Sequence, residues 1–232
     1  DWQSSCMTTA SAPAGMKAPV KMRAAVPGSS VAGAAPAGRR REILSLRPCA
    51  QSAHFDTGAE RYTLLEVDKI LRAAQFAEGY GDENFGIVTA LRAIPEGPLL
   101  DRICDAIRAI RARGGVLPDA SLGTVSKRAL MQLKDAGLEV YHHNLETAKS
   151  YYPKVTTTRA WDENRNTIVW AKEIGLKTCC GGIVGMGESH DQRVEFIYQL
   201  RDLHPDNVPL NFLVPIPGTP LAGEGKLTPL EC

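Results

Sequence analysis

Two adjacent cysteines open a glycine-rich segment that ends on a carboxylate. From Lys177 to Glu188 the chain reads KTCCGGIVGMGE, a short apolar strand candidate followed by glycines. Thiolates ligate iron and zinc, and glycines near a strand end allow a ligand to approach the backbone. The same glycines are also typical of a β-bulge or a turn, so the segment alone leaves a binding loop and a structural turn open.

The segment YHHNLET, residues 141–147, places polar side chains directly after an apolar stretch. Asn144 and Glu146 stand at alternate positions, and alternate residues of a strand share one face. We therefore expect both to point into a common space, where an amide and a carboxylate can bind a polar ligand. His142 and His143 offer an alternative, a metal site, although no further ligand accompanies them.

Composition and charge exclude several classes of function. The 232 residues are 44% hydrophobic and 23% charged, and their formal net charge is +1. A charge so near zero gives no field for a polyanion, so nucleic acid is not expected as a partner. No apolar run approaches the roughly 20 residues that span a bilayer, so no membrane segment is expected. The cysteines are scattered apart from one adjacent pair, which favours reduced thiols over a disulfide framework.

From Glu42 onward, short apolar runs alternate with amphipathic stretches. The strand candidates are Ile43–Leu46, Phe85–Thr89, Gly115–Leu117, Leu138–His142, Lys177–Cys180 and Val208–Val214. The helix candidates lie at about 64–79, 98–113, 125–136, 160–174 and 189–203, the last with a capping box at Ser189 and Gln192. The alternation predicts βαβ units and a parallel sheet. We expect an α/β fold over residues 42–232, as a partial TIM-type (βα)6 barrel with its chemistry at the carboxyl ends of the strands; an open doubly wound sheet is the alternative.

Residues 1–41 differ from the rest of the chain. Ala, Pro, Gly and Ser dominate, and no acidic residue occurs between Asp1 and Glu42. Such a segment buries too little apolar surface to offset chain entropy, so we predict a disordered tail. Its basic, acid-free composition is also typical of an organelle transit peptide. A transit peptide would place the protein in a mitochondrion or plastid, and without one a cytoplasmic location is expected.

Four segments together resemble one enzyme family. The spacing G-x-I-x-G-x-x-E, found in the adenosine-contacting strand of radical S-adenosylmethionine (SAM) enzymes, is matched by Gly181, Ile183, Gly185 and Glu188. With the two thiols before it, with CAQSAHF from Cys49, with YHHNLET and with VPLNFLVPIPGTPL from Val208, this segment resembles biotin synthases. The resemblance runs from about residue 42 to residue 221 and is strongest over 138–221.

The resemblance implies roles for the matching residues. SAM would be contacted by Thr89, Glu146, Ile183, Glu188 and Val214. The cyclic urea of dethiobiotin would be held by Asn144 and Asn211. Iron would be ligated by Cys49 in a [4Fe-4S] cluster and by Cys179 in a [2Fe-2S] cluster. No catalytic side chain is identified.

The chain departs from the family at both clusters. A [4Fe-4S] cluster that leaves one iron free for SAM needs three thiolates, and Cys49 matches only the third of them. At the [2Fe-2S] cluster Cys179 remains, but Gly86 and Asp119 occupy the other two cysteine positions. Cys180 should not ligate the same cluster, because successive residues of a strand point to opposite faces.

A third departure concerns the residue that would bind the SAM carboxylate. The family has an arginine in the first turn of the helix that follows the threonine run at 156–158, and Asn164 stands in its place. Arg165 follows one residue later, rotated by about 100° around a helix axis, so it is a doubtful substitute. Cys104 lies on a predicted helix and is expected in the core.

The resemblance implies radical-SAM sulfur insertion that converts dethiobiotin to biotin, and it leaves open whether the chain as written is active or an inactive fragment. Its expected cofactors are SAM and the two clusters, and its expected partners are dethiobiotin and an electron-donor protein, with a homodimer left open. One alternative is a non-catalytic barrel remnant that binds SAM or dethiobiotin without iron. Others are a related radical-SAM maturase and an aldolase-like barrel that uses Lys154 or Lys177 as a Schiff base.

Overall fold

Parallel strands and helices alternate along the part of the chain that the structure describes. The structure is a computed structural model that describes residues 23–24, 64–89, 91–215, 217, 219–224, 227–228 and 231. Its elements are β1 (Arg23–Ala24), α1 (Val67–Gly79), β2 (Asn84–Thr89), α2 (Pro98–Arg113), β3 (Leu117–Ser121), α3 (Lys127–Asp135), β4 (Val140–His142), α4 (Tyr152–Val155), α5 (Trp161–Glu173), β5 (Lys177–Cys179), β6 (Gly182–Val184), α6 (His190–Leu203) and β7 (Leu210–Phe212).

The parallel strands form a layer that consists of two sheets. The first five pair in the order β1-β2-β3-β4-β5, and β6 pairs with β7 in a second sheet. Single backbone bridges join the two sheets, one between Glu146 and Gly182 and one between Cys179 and Asn207. Strands β5 and β6 are therefore consecutive segments of one extended stretch of chain, separated by two residues. The predicted α/β class and the partial TIM-type barrel are confirmed.

Helices cover the outer face of this layer because each carries an apolar stripe at helical spacing. In α2 the stripe is fully buried and consists of Leu100, Ile103, Ile107 and Ile110. It packs in one cluster with strand residues such as Phe85 and Ile87 and with Leu130 and Leu133 of α3. Burying each such side chain stabilises the fold by roughly 1.5–3 kcal/mol. Cys104 lies in the same cluster, as expected.

Most of the predicted elements are present with small shifts at their ends. The capping box at the start of α6 is formed by Ser189 and Gln192, as predicted. The strand predicted at 115–117 lies instead at Leu117–Ser121, because Gly114 and Gly115 both have positive φ and form the turn before it. Strands β1 and β6 and helix α4 were not predicted.

Some sequence-based predictions fall on residues that the structure does not describe. The strand expected at Ile43–Leu46 and the ligand Cys49 lie outside the described residues. Within the segment 1–41 the structure describes only β1, which pairs with the end of β2, and disorder of the segment stays a prediction. Among the described helices, none combines the length and apolar character needed to cross a bilayer.

Candidate active site

The segment after β4 and the strands β6 and β7 bring four of the predicted site residues into one row. The backbone N–H of Ile183 donates to the Glu146 carbonyl over 2.8 Å, and Ile183 is the register partner of Asn211. The side-chain Oδ1 of Asn144 accepts a hydrogen bond from the Gly181 N–H at 3.0 Å. Asn144 and Glu146 therefore flank the same strand, with Asn211 on its other side. Their proposed ligands stay predictions.

The glycines of the segment allow neighbouring strands to approach closely. A Cβ at Gly181 would lie 1.9 Å from the Pro209 carbonyl oxygen, and one at Gly182 would lie 2.2 Å from the Glu146 carbonyl oxygen. Protein backbone thus fills the space beside both residues. At these two positions the structure therefore favours a structural role for the glycines, as in a bulge or turn, over a loop that binds a ligand.

Several buried polar atoms at the strand ends have no hydrogen-bond partner among the described residues. They are Asn144 Nδ2, Glu146 Oε2, Asn211 Nδ2 and Thr89 Oγ1. Leaving a buried donor or acceptor unpaired costs about 1–3 kcal/mol per group. Three of the four lie in the row described above, which therefore places two unpaired amide donors and one unpaired carboxylate oxygen close together. Thr89 ends β2, which lies two strands away from β4.

Glu146 is a buried carboxyl group in a strained backbone conformation. Its φ is 72°, a left-handed value that a non-glycine residue rarely adopts and that is enriched at functional sites. Burial raises the pKa of Glu146, and this rise is opposed by the charge of Arg159 and by the nearby Asn144 amide. Arg159 Nη2 lies 4.0 Å from Glu146 Oε1, too far for a hydrogen bond. The Asn144 amide acts on the carboxyl group from nearby but makes no hydrogen bond of good geometry with it.

A buried polar network lies behind this carboxyl group. His143 Nε2 lies 3.0 Å from Asn164 Oδ1. Asn164 Nδ2 donates to the Tyr152 hydroxyl at 3.1 Å, and Arg159 Nε donates to the same hydroxyl at 3.2 Å. Burial and the Arg159 charge lower the pKa of His143 to about 3, although its contact with Asn164 opposes them. His143 is therefore a neutral structural residue.

The arginine beside Glu146 is Arg159, which was not predicted from the sequence. Asn164 is fully buried, while Arg165 is exposed and faces away from the site, as its rotation around the helix predicted. Arg159 precedes α5, and its side chain is only 8% exposed. Its position directly after the threonine run is the signal that could have identified it.

Glu188 holds the loop after β6 in place. Its Oε1 accepts from the Gly185 N–H at 2.6 Å, and its Oε2 accepts from the Met186 N–H at 2.7 Å. Arg193 Nη1 lies 3.6 Å from Oε1. Both carboxylate oxygens are thus engaged with the protein itself, and contact of Glu188 with SAM stays a prediction. Val214, which is half-buried, follows the end of β7 by two residues.

Cys179 belongs to a second group of polar residues on the opposite side of the sheet from Cys180. His142 and Cys179 are register partners, and His142 Nε2 lies 3.2 Å from Asp119 Oδ2. Burial would lower the pKa of His142, but Asp119 and Cys179 raise it to about 9. Cys180 is fully buried in an apolar cluster, and burial raises its thiol pKa to about 12. The two cysteines face opposite ways, as predicted.

These residues do not fit an iron–sulfur cluster. Gly86 is the register partner of Asp119 and contributes no side chain, so Cys179 is the one thiol among the predicted [2Fe-2S] positions. His142 and His143 do not form a joint metal site, since His143 bonds Asn164 instead. Across the described ranges, no three His, Cys, Asp or Glu side chains are arranged to hold a metal ion.

Comparison with known proteins agrees with the fold and with the motifs. Residues 47–200 match the family model of the radical SAM superfamily. The chain is 50% identical over 184 residues to the biotin synthase of Trichlorobacter lovleyi, an alignment that covers 79% of this chain and 55% of that protein. The biotin synthase of Geobacter sulfurreducens is also 50% identical over 184 residues, with 79% and 56% covered. The chain spans about half the length of the curated relatives it matches.

Two solved structures show the same partial barrel. Methylornithine synthase superposes with a TM-score of 0.64 at 19% identity, covering 77% of this chain and 52% of that one. The FeFe-hydrogenase maturase of Carboxydothermus hydrogenoformans superposes with a TM-score of 0.64 at 16% identity, covering 76% and 43%. At these identities the likeness concerns the fold alone.

Proposed function

The chain belongs to the radical SAM superfamily, and on this premise we propose that it is the part of a biotin synthase that binds SAM and dethiobiotin. The observation that carries the proposal is the row of unpaired buried atoms, Asn144 Nδ2, Glu146 Oε2 and Asn211 Nδ2. Two amide donors on either side of β6 suit the carbonyl oxygen of a cyclic urea, and a carboxylate suits the hydroxyls of a ribose.

Each residue of the row has a distinct task in this proposal. The Asn144 amide bonds the Gly181 N–H through its oxygen, so its Nδ2 is held in position to donate to substrate. Glu146 accepts from the ribose hydroxyls; burial raises the pKa of its carboxyl group, and the nearby Arg159 charge opposes that rise. Ile183 packs with Met186 and Leu221 and gives the nucleoside an apolar wall. When bound to a reduced cluster, SAM supplies the hydrogen-abstracting chemistry of the family.

The residues present fit SAM and dethiobiotin better than they fit the clusters. A single thiolate, Cys49, is not enough to hold a [4Fe-4S] cluster, and the [2Fe-2S] positions include a glycine and an aspartate. We therefore assign sulfur insertion to a protein with the complete ligand set. The second candidate function, which this incomplete set favours, is a non-catalytic remnant that binds the same ligands without iron.

The aldolase-like alternative is not supported by the two lysines considered for it. Lys177 is exposed and pairs with Glu139 at 2.8 Å, and this hydrogen bond raises the pKa of Lys177. A Schiff-base lysine needs a lowered pKa, so that the neutral amine is available at neutral pH. Lys154 is exposed as well.

Partners and location follow from the same proposal. An active form requires an electron-donor protein for SAM cleavage, and a homodimer remains a proposal. If residues 1–41 act as a transit peptide, the protein is mitochondrial or plastidic; if they do not, it is cytoplasmic. Detection of the chain after import into isolated organelles, with or without these residues, distinguishes the two locations.

Titration calorimetry with S-adenosylhomocysteine and with dethiobiotin tests the binding proposal. We expect both ligands to bind the purified chain without iron. Asn211→Leu should weaken dethiobiotin binding about tenfold or more, since a hydrogen bond to a buried group contributes about 1–3 kcal/mol. The same variant should keep its thermal stability, because the amide Nδ2 has no partner among the described residues. Lys154→Ala, at an exposed position, is the matched control.

Two results would contradict the proposal. One is the absence of binding of either ligand by the unmodified chain. The other is unchanged dethiobiotin affinity in both Asn144→Ala and Asn211→Leu, which would mean that the two amides do not face the substrate.

A further inference from the structure

Arg159 is a buried cation whose charge is only partly matched by the residues around it. Its side chain is 8% exposed, and its Nη2 lies 4.0 Å from the Glu146 Oε1. This is the one ion pair that the described residues give Arg159, and the distance is too long for a hydrogen bond. A buried charge without good partners costs free energy. A guanidinium in this position therefore favours the binding of an anion.

The free part of the guanidinium is the end that carries Nη1 and Nη2. Nε is occupied, because it donates to the Tyr152 hydroxyl at 3.2 Å. Within the described part of the chain, neither Nη1 nor Nη2 has a hydrogen-bond acceptor. These two nitrogens can donate in parallel to both oxygens of a carboxylate, the paired geometry in which arginine binds this group well.

Arg159 is held in its orientation by groups that are themselves buried. The Tyr152 hydroxyl also accepts from Asn164 Nδ2 at 3.1 Å, and Asn164 Oδ1 lies 3.0 Å from His143 Nε2. Tyr152, Asn164 and His143 are each less than a tenth exposed. A side chain that is already fixed loses little conformational entropy when a ligand binds. The network thus prepares the guanidinium for an anion.

The position of Arg159 beside Glu146 restricts what that anion can belong to. Glu146 Oε2 has no partner among the described residues, and in the proposed function it accepts from ribose hydroxyls. The guanidinium lies next to the other oxygen of the same carboxyl group. One ligand can therefore reach both residues if it carries a ribose and, a few bonds away, a negatively charged group. A nucleoside with an amino-acid substituent has this combination.

We propose that Arg159 binds the carboxylate of the nucleoside whose ribose is bound by Glu146. Arg159 thereby selects SAM and S-adenosylhomocysteine over nucleosides that lack the carboxylate. Asn164 takes no direct part, because its amide is engaged by Tyr152 and His143. The inference rests on the proposed function, since it requires Glu146 to face a ribose.

Titration calorimetry with two nucleosides tests the role of Arg159. S-adenosylhomocysteine is compared with decarboxylated S-adenosylhomocysteine, which lacks only the carboxylate. We expect the purified chain to bind S-adenosylhomocysteine about tenfold or more tightly than the analogue. In Arg159→Met the two affinities should agree within about twofold. Both ligands carry the same ribose, so any effect of the substitution on Glu146 cancels in the ratio.

Two further variants sharpen the comparison. Arg159→Lys keeps the charge but not the paired donors, so it should retain part of the preference for the carboxylate. Arg165→Met makes the same substitution as Arg159→Met at an exposed arginine of α5. This matched control should keep the full preference. Thermal unfolding of each variant without ligand separates a loss of binding from a loss of the fold.

Either of two results overturns the inference. One is equal affinity of the unmodified chain for the two nucleosides, a measurement that needs no variant. The other is an unchanged preference in a folded Arg159→Met. If that variant instead binds dethiobiotin more weakly, the guanidinium serves the carboxylate of dethiobiotin.

The outcomes also separate this inference from the proposed function. If both nucleosides and dethiobiotin bind but the carboxylate makes no difference, the role of Arg159 is wrong and the binding function stands. If neither nucleoside binds and dethiobiotin does not bind, the proposed function is wrong and the role of Arg159 falls with it.

Discussion

Acidification should destabilise the folded chain through His143, because this imidazole is buried in its neutral form. The side chain contacts Asn164 and lies near the Arg159 guanidinium. Burial, reinforced by the arginine charge, lowers its pKa from 6.5 to about 3. A group whose folded pKa lies below its unfolded pKa opposes folding as the pH falls between the two values, since only the unfolded chain takes up the proton.

The size of the effect follows from the two pKa values. Between about pH 7 and about pH 5 the folded state keeps His143 neutral, while the unfolded chain becomes protonated with a pKa of about 6.5. The free energy of unfolding should therefore fall by about 2 kcal/mol over this interval on account of this residue alone. The loss should continue towards about pH 3 and stop below it.

Urea denaturation at the two pH values measures the effect. His143→Gln retains an amide that can donate to Asn164 but has no group that titrates, so its stability should depend less on pH by about 2 kcal/mol. Glu146 titrates in both proteins, and its contribution largely cancels in the comparison. His190→Gln, at a side chain that is 78% exposed, is the control and should match the unmodified chain. Equal pH dependence in the unmodified chain and in His143→Gln would refute this explanation.

Two further predictions concern the loop and strands of the site. Gly182→Ala should destabilise the fold by about 1–3 kcal/mol in urea denaturation, because the new Cβ would lie 2.2 Å from the Glu146 carbonyl oxygen. Gly86→Ala meets no atom within 4 Å and should be nearly neutral, so equal effects of the two changes would contradict the packing argument. Glu188→Gln replaces one of two carboxylate acceptors by a donor and should cost about 1–3 kcal/mol. Faster hydrogen exchange at Gly185 should accompany it, and unchanged exchange would show that the carboxylate does not hold the loop.

Local patterns were sufficient for most of the fold. Apolar residues at helical spacing, such as Leu99, Ile103 and Ile107, identified α2 because that spacing places them on one face of a helix. The pairing of Ser189 and Gln192 identified the start of α6 for a similarly local reason. Strand β6 was not recognised as separate from β5. The two residues between them are set apart by how the chain pairs with strands distant in the sequence, which local patterns do not show.

The candidate site was predictable only in part. The motif residues Asn144, Glu146 and Asn211 could be named from spacing and resemblance, and their sequence positions placed Asn144 and Glu146 at a strand end and Asn211 inside a strand. That Arg159, and not Arg165, lies beside Glu146 depends on how α5 packs against the sheet. The role of Glu188 likewise depends on the turn at Gly185, which brings two backbone N–H groups to its carboxylate.

Amino-acid order alone was enough to establish the α/β class and the family resemblance, because each depends on residue identity or on short spacings. Which polar groups meet was settled by the strand register. Asp119, His142 and Cys179 are far apart in the chain and become neighbours only because β3, β4 and β5 pair in parallel. Hydrogen bonds and charges act over a few ångströms, so the chemistry of such a group exists only once the sheet has formed.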